Sequence, residues 1–243
     1  MKRNIKLIIE YDGTNYVGWQ RQMNGPSIQE KIEAVLAKIT NEKVTVIGAG
    51  RTDSGVHARG QTANFFIENK MGTGELQRAL NGLLPHDIVI KHTEEVDEHF
   101  SARHSAKERE YKYYISSVPT AIQRKFVWQA GYRLDYSLMN SAAASIICEH
   151  DFASFCKGSQ EFENHTCNVF FAEWIQQDTL TIFTIRANRF LHGMVRSLVG
   201  TMVDIGRGLI EYNQFEKIIS SKKRQLARQS VPAKGLFLEK VVY

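Results

Sequence analysis

Apolar residues crowd the start of the chain at Ile5, Leu7, Ile8 and Ile9, which predicts a strand over roughly residues 4 to 10. A loop punctuated by Gly13, Gly18, Gly25 and Pro26 follows it. Ile28, Ile32, Val35, Leu36 and Ile39 then recur at helical spacing, and Ser27 with Glu30 has the pattern of a capping box, so a helix begins at Ser27. Strands are predicted near 43 to 48 and 61 to 67, on either side of a glycine-rich loop. Next come a helix near 74 to 83, carrying Leu76, Ala79, Leu80 and Leu83, and a strand near 87 to 92. The first half reads βαββαβ. From about residue 108 the order begins again: a strand at Tyr111 to Ile115, a helix at Leu138 to Ile147, and strands at 169 to 175 and 180 to 187. A helix at Phe190 to Val203 and a last strand at Leu236 to Val242 complete it, with an extra helix near 213 to 220. Two such runs predict an α+β chain of two ferredoxin-like lobes with antiparallel sheets, residues 1–105 and 106–243, and a central cleft between them.

Composition narrows the function classes. With 243 residues and 43% hydrophobic positions the chain can bury a substantial core. The 31 Lys and Arg against 26 Asp and Glu give a net charge of +5, a mild bias toward a polyanionic partner such as nucleic acid. The three cysteines, Cys148, Cys156 and Cys167, have neither paired spacing nor an even number, which predicts a reducing cytoplasm and no disulfide framework or zinc site. The opening apolar stretch is too short for a signal sequence, and no stretch approaches the length of a membrane span, so neither export nor membrane insertion is expected.

The most unusual segment runs from Gly48 to Gln61, GAGRTDSGVHARGQ, with four glycines in fourteen positions. Glycines accept positive φ and let backbone approach a ligand closely, so this loop can present Asp53 and Arg51 at the end of the strand at 43 to 48. On composition alone it reads rather as a plain turn in which Asp53 caps nearby amides. No Gly-Lys-Ser/Thr follows, as a phosphate loop requires, and Ser54 lies in no nucleophile elbow that His57 would serve, so His57 reads as structural. The remaining histidines have no metal-ligand spacing. In Arg109-Glu110-Tyr111-Lys112-Tyr113-Tyr114-Ile115, Tyr111 and Tyr113 share one face of a strand and Lys112 the other. The segment is either a base-stacking platform beside cations or a strand with one face in the core. Arg196 interrupts the apolar stripe Leu191, Met194, Val195, Leu198, Val199 and Met202. It either snorkels to the surface or pairs with a carboxylate such as Asp53. Lys222-Lys223-Arg224 reads as a solvated loop, with contact to an RNA backbone as the rival.

These segments, in this order, resemble the tRNA pseudouridine synthase A (TruA) family. The resemblance begins at Glu10-Tyr11-Asp12-Gly13-Thr14 and Gly18-Trp19-Gln20-Arg21-Gln22, and continues through Ser27-Ile28-Gln29-Glu30, Gly50-Arg51-Thr52-Asp53-Ser54-Gly55-Val56-His57-Ala58 and Phe100-Ser101-Ala102-Arg103. It reappears in Arg109 to Tyr113, Asp151-Phe152-Ala153-Ser154-Phe155, Met194-Val195-Arg196, and Pro232-Ala233-x-Gly235-Leu236-x-Leu238. Three places depart from the family pattern: Ser54 where alanine is common, Asn168 after Thr166-Cys167 where an arginine is usual, and Ser230-Val231 in place of Thr-Ala.

The resemblance implies the pseudouridine synthase fold and conversion of tRNA uridines 38, 39 and 40, in the anticodon arm, to pseudouridine by a homodimer. It makes Asp53 the catalytic aspartate, Tyr111 the tyrosine stacked on the target base, Arg196 the partner of the aspartate, Arg51 the arginine that helps extrude the nucleotide, and Leu236 an apolar contact on the other side of the uracil. The reaction breaks the N1–C1′ bond, turns the base and joins C5 to C1′, with the C5 proton lost and N1 protonated. Nothing is oxidised or brought from outside, so neither metal nor organic cofactor is expected. Asp53 either attacks C1′ or removes a sugar proton to give a glycal. Flipping the nucleotide costs a few kcal/mol, which stacking on Tyr111 and insertion of Arg51 would offset. A non-catalytic RNA-binding protein of the same fold, and a hydrolase using Asp53 with His57, are the rival expectations.

Overall fold

The computed structural model describes residues 2–158 and 163–243. In chain order its main elements are β1 (Arg3–Tyr11), α1 (Ile28–Thr40), β2 (Ile47–Gly48), β3 (His57–Ile67), α2 (Thr73–Leu83), β4 (Ile88–Val96), β5 (Glu108–Ser116) and β6 (Trp128–Gln129). They continue with α3 (Tyr136–Ser145), β7 (Cys148–Asp151), β8 (Thr166–Gln177), β9 (Leu180–Ala187), α4 (Met194–Gly206), α5 (Tyr212–Ser221) and β10 (Leu236–Val242). The chain is α+β and divides into two compact units, residues 2–107 with Phe237–Tyr243, and Glu108–Leu236.

In the first unit β4, β1 and β3 form an antiparallel ladder. Ile5, Leu7, Ile9 and Tyr11 of β1 all point to the buried side, as the two-residue period requires. Ser27 Oγ accepts from the Glu30 N–H at 3.2 Å and starts α1, which buries Ile28, Ile32, Val35 and Leu36 and ends at Asn41 with φ 57°. The strand expected over 43 to 48 shrinks to Ile47–Gly48, paired with Asn64 and Ala63 of β3. The backbone before it is claimed by α1: Val46 N–H donates to Glu33 Oε1 at 2.9 Å, and Val46 O accepts from Gln29 Nε2 at 3.0 Å.

The C-terminal residues were expected to complete the second lobe, residues 106–243. Phe237–Tyr243 instead belong to the first unit, where β10 runs parallel to β3 through Phe237↔His57 and Leu238↔Ala58. Phe237 stacks on His57 at 4.7 Å, Glu239 pairs with Arg59 at 2.8 Å, and Lys107 N–H donates to Val242 O. Gly60 makes this approach possible, because a Cβ there would lie 2.4 Å from Glu239 O.

The second unit carries β5, β9, β8 and β7 in that order, antiparallel throughout, with β6 parallel to β5. Its core helix α4 starts at Met194 and not at the expected Phe190. Gly193 sits in the left-handed region with φ 71° and breaks the chain there. From Met194 to Gly206 it is apolar nearly all round, which is the pattern of a helix packed on all sides.

Candidate active site

The segment between β2 and β3 follows a course set by single hydrogen bonds. Ala49 N–H donates to Thr62 O at 2.8 Å, Gln61 Nε2 to Gly50 O at 2.9 Å, Trp19 N–H to Thr52 O at 3.1 Å and Gly55 N–H to Tyr16 O at 3.3 Å. Val56 N–H closes a turn onto Asp53 O at 3.1 Å. Gly18, with φ +109°, lets the 16–19 backbone come this close, since a Cβ on it would lie 2.4 Å from Thr52 O. On this support Asp53 is half-buried and Arg51 is exposed. Ser54, where the family commonly has alanine, adds a bond of its own from Oγ to Tyr16 O at 3.3 Å.

His57 has a structural place, as its sequence context predicts. Its ring is fully buried, and Nδ1 accepts the Gly13 N–H at 3.0 Å. Asp12 Oδ1 lies 3.1 Å from the same nitrogen. The histidine thereby ties Asp12-Gly13 to the end of the Asp53 loop.

In the second unit the alternation along β5 holds: Tyr111 and Tyr113 face inward, while Lys112 and Tyr114 are half-buried on the other side. Tyr113 is core. Its hydroxyl donates to Pro232 O at 2.7 Å, and burial pushes the phenol pKa well up, against the nearby Arg196 charge. Tyr111 is 7% exposed and meets Phe190 edge-on at 5.0 Å, a residue that the shortened α4 leaves outside the helix. Arg196, half-buried on α4, donates through Nε to Val231 O at 2.8 Å, and Val231 N–H donates back to Arg196 O at 3.3 Å. Both contacts use Val231 backbone, so valine in place of alanine leaves them intact. Gly235 lies against the Tyr113 ring and Tyr114 O, and Leu236 follows it, buried. Arg196 and Leu236 are thus tied to the strand that carries Tyr111. Asn168, where an arginine is usual, spends its backbone N–H on Asn188 Oδ1 at 2.9 Å. Two of the three cations at 222–224 are engaged within the unit: Lys222 with Asp151 at 2.9 Å, and Arg224 with the Ala227 and Arg228 carbonyls.

Sequence reading missed the layer under the Asp53 loop, made by Tyr11, Trp19, Thr52 and Gln61. The available signal was Tyr11 in register with Ile5, Leu7 and Ile9, which sends a hydroxyl into an apolar interior where it must find a partner. Among the described residues no three His, Cys, Asp or Glu side chains are grouped so as to hold a metal, and no helix is long and apolar enough to cross a membrane.

A family model described as tRNA pseudouridine synthase matches residues 7–105 and 142–243. The chain belongs to the tRNA pseudouridine synthase family. The tRNA pseudouridine synthase A of Acetivibrio thermocellus is 42% identical over 243 residues, 99% of this chain and 100% of that protein. The enzyme of the same name from Caldicellulosiruptor saccharolyticus is 43% identical with the same coverage, and that of Chlorobium phaeobacteroides is 42% identical over 99% of this chain and 94% of its own. The synthase family match contains Arg51, Asp53, Arg196 and Leu236. Tyr111 lies between its two stretches, within the length shared with the relatives.

Proposed function

We propose that this protein isomerises uridine to pseudouridine in tRNA, at positions 38, 39 and 40 of the anticodon arm, working in the cytoplasm as a homodimer. The observation that carries the reading is the Asp53 loop: an acidic residue on a backbone held at residues 50, 52, 53 and 55, in a chain that matches the synthase family nearly end to end. Its one carboxylate on a rigid support suits a reaction that needs a single group aimed at the sugar. Asp53 is the nucleophile or base, Tyr111 the stacking platform and a candidate acceptor of the C5 proton, and Arg196 the partner that the family resemblance gives the aspartate. Arg51 takes the space of the extruded nucleotide, and Leu236 packs against the uracil. Incubating the purified chain with unmodified tRNA transcripts and mapping pseudouridine by position tests this reading. Modification confined to 38, 39 and 40 is expected. A folded sample that binds tRNA and leaves every uridine unchanged overturns the activity, and modification elsewhere in the tRNA overturns the positions.

A further inference from the structure

The support under the Asp53 loop is built from buried polar side chains. Tyr11 is 3% exposed, and its hydroxyl lies 2.8 Å from Oγ1 of Thr52, itself buried. Gln61 on β3 is fully buried, and its Nε2 donates to Gly50 O at 2.9 Å. Gln61 Oε1 is buried with no hydrogen-bond partner among the described residues. Each of these side chains was taken out of water at a cost, and apolar residues of matching shape would fill the same space without it. What the three share is their target: the bonds end on residues 50 and 52, just before Asp53.

The geometry points to a specific division of labour. Thr52 is held twice, by Tyr11 at its side chain and by the Trp19 N–H at its carbonyl, so the peptide leading into Asp53 is fixed at two points. The Val56 N–H then holds the carbonyl of Asp53 itself. We propose that Tyr11 is a positioning residue for uridine isomerisation, acting through Thr52 to hold the backbone from which Asp53 reaches the sugar. This rests on the reading of Asp53 as the reacting carboxylate. Burial raises the Tyr11 phenol pKa from an ordinary value that already lies above the neutral range, so the O–H keeps its proton there.

Tyr11→Phe removes the hydroxyl and nothing else, and Thr52→Val removes its partner. In the full chain each is expected to lower kcat by about 10- to 100-fold, the order that a small misplacement of a reacting group costs, with tRNA affinity within about twofold of the parent. Thr52→Ser restores most of the rate. The double variant is no slower than the slower single one, because both act through one bond. The rate ratio between Tyr11→Phe and the parent stays constant across the neutral pH range. Amide hydrogen exchange rises at residues 50–55 while the rest of the sheet is unchanged. Parent-like turnover in Tyr11→Phe overturns the proposal, as does a rate loss fully accounted for by the unfolded fraction. If Tyr11→Phe does not fold, the Thr52→Val and Thr52→Ser pair decides it, and equal rates in that pair overturn it. An inactive parent that binds tRNA refutes the functional reading, and unaltered exchange at 50–55 in Tyr11→Phe refutes positioning whatever the turnover.

Discussion

The Asp53 loop of the first unit and the α4 helix of the second each carry a candidate site residue, and they are held by opposite means. The loop hangs on individual hydrogen bonds and on close backbone approach at Gly18, with Asp53 and Arg51 left accessible. In α4, Met194, Leu198, Val199, Met202 and Ile205 are fully buried, and Arg196 is carried along by a helix that the core would form without it. The contrast teaches that damage to the loop should appear as lost rate in a stable protein, whereas damage to α4 should appear as lost stability first.

The largest effect expected from this contrast is that of Asp53→Ala, which should lower turnover by at least about 10³-fold while tRNA binding persists through phosphate contacts. Its thermal midpoint should stay near that of the parent, and near-parental turnover would remove Asp53 from the chemistry. Leu198→Ala is the opposite probe. It should cost about 2–5 kcal/mol in denaturant unfolding through a buried cavity, with turnover per folded molecule nearly unchanged.

Gly18→Ala and Gly50→Ala separate the backbone that supports the loop from the loop itself. The first forces a Cβ onto Thr52 O in a backbone conformation that disfavours side chains, and should cost about 1–3 kcal/mol as well as rate. The second meets nothing within 4 Å, so its stability should change by less than about 0.5 kcal/mol. A fall in tRNA turnover in Gly50→Ala at unchanged stability would show that a ligand, and not the fold, needs that glycine; unchanged turnover would show that neither does.

The smallest effect belongs to the surface. Lys6 Nζ donates to Glu94 Oε1 at 2.8 Å and lowers the glutamate pKa. That contribution is complete above the ordinary glutamate value and is lost as pH falls through the lowered folded-state value. Because Glu94 is 41% exposed, Glu94→Gln should cost at most about 0.5 kcal/mol at neutral pH. The difference from the parent should vanish in acid; a difference that persists there would mean the side chain acts through packing.

Local periodicity made much of this molecule legible. The buried side of β1, the start of α1 at Ser27 and the two-faced pattern of β5 follow from spacing and capping, which are properties of neighbouring residues. Long-range competition hid the rest. The strand before Gly48 is short because Glu33 and Gln29 take the Val46 backbone, and β10 joins the first unit because Phe237 and Glu239 find His57 and Arg59. Neither partner is visible in a local pattern. The early break before α4 was hidden for a different reason, since Gly193 does not announce a positive φ inside an apolar periodic run. At the site, the order of motifs singled out Asp53, while the hydroxyl of Tyr11 reaches a partner 41 residues away.

The most direct test of the account uses tRNA carrying tritium at C5 of its uridines. Joining C5 to the sugar must expel that label, so the folded parent chain should release tritium to water while the RNA strand stays intact. A sample that is folded and binds this tRNA yet releases no tritium would contradict the claim that this chain isomerises uridine.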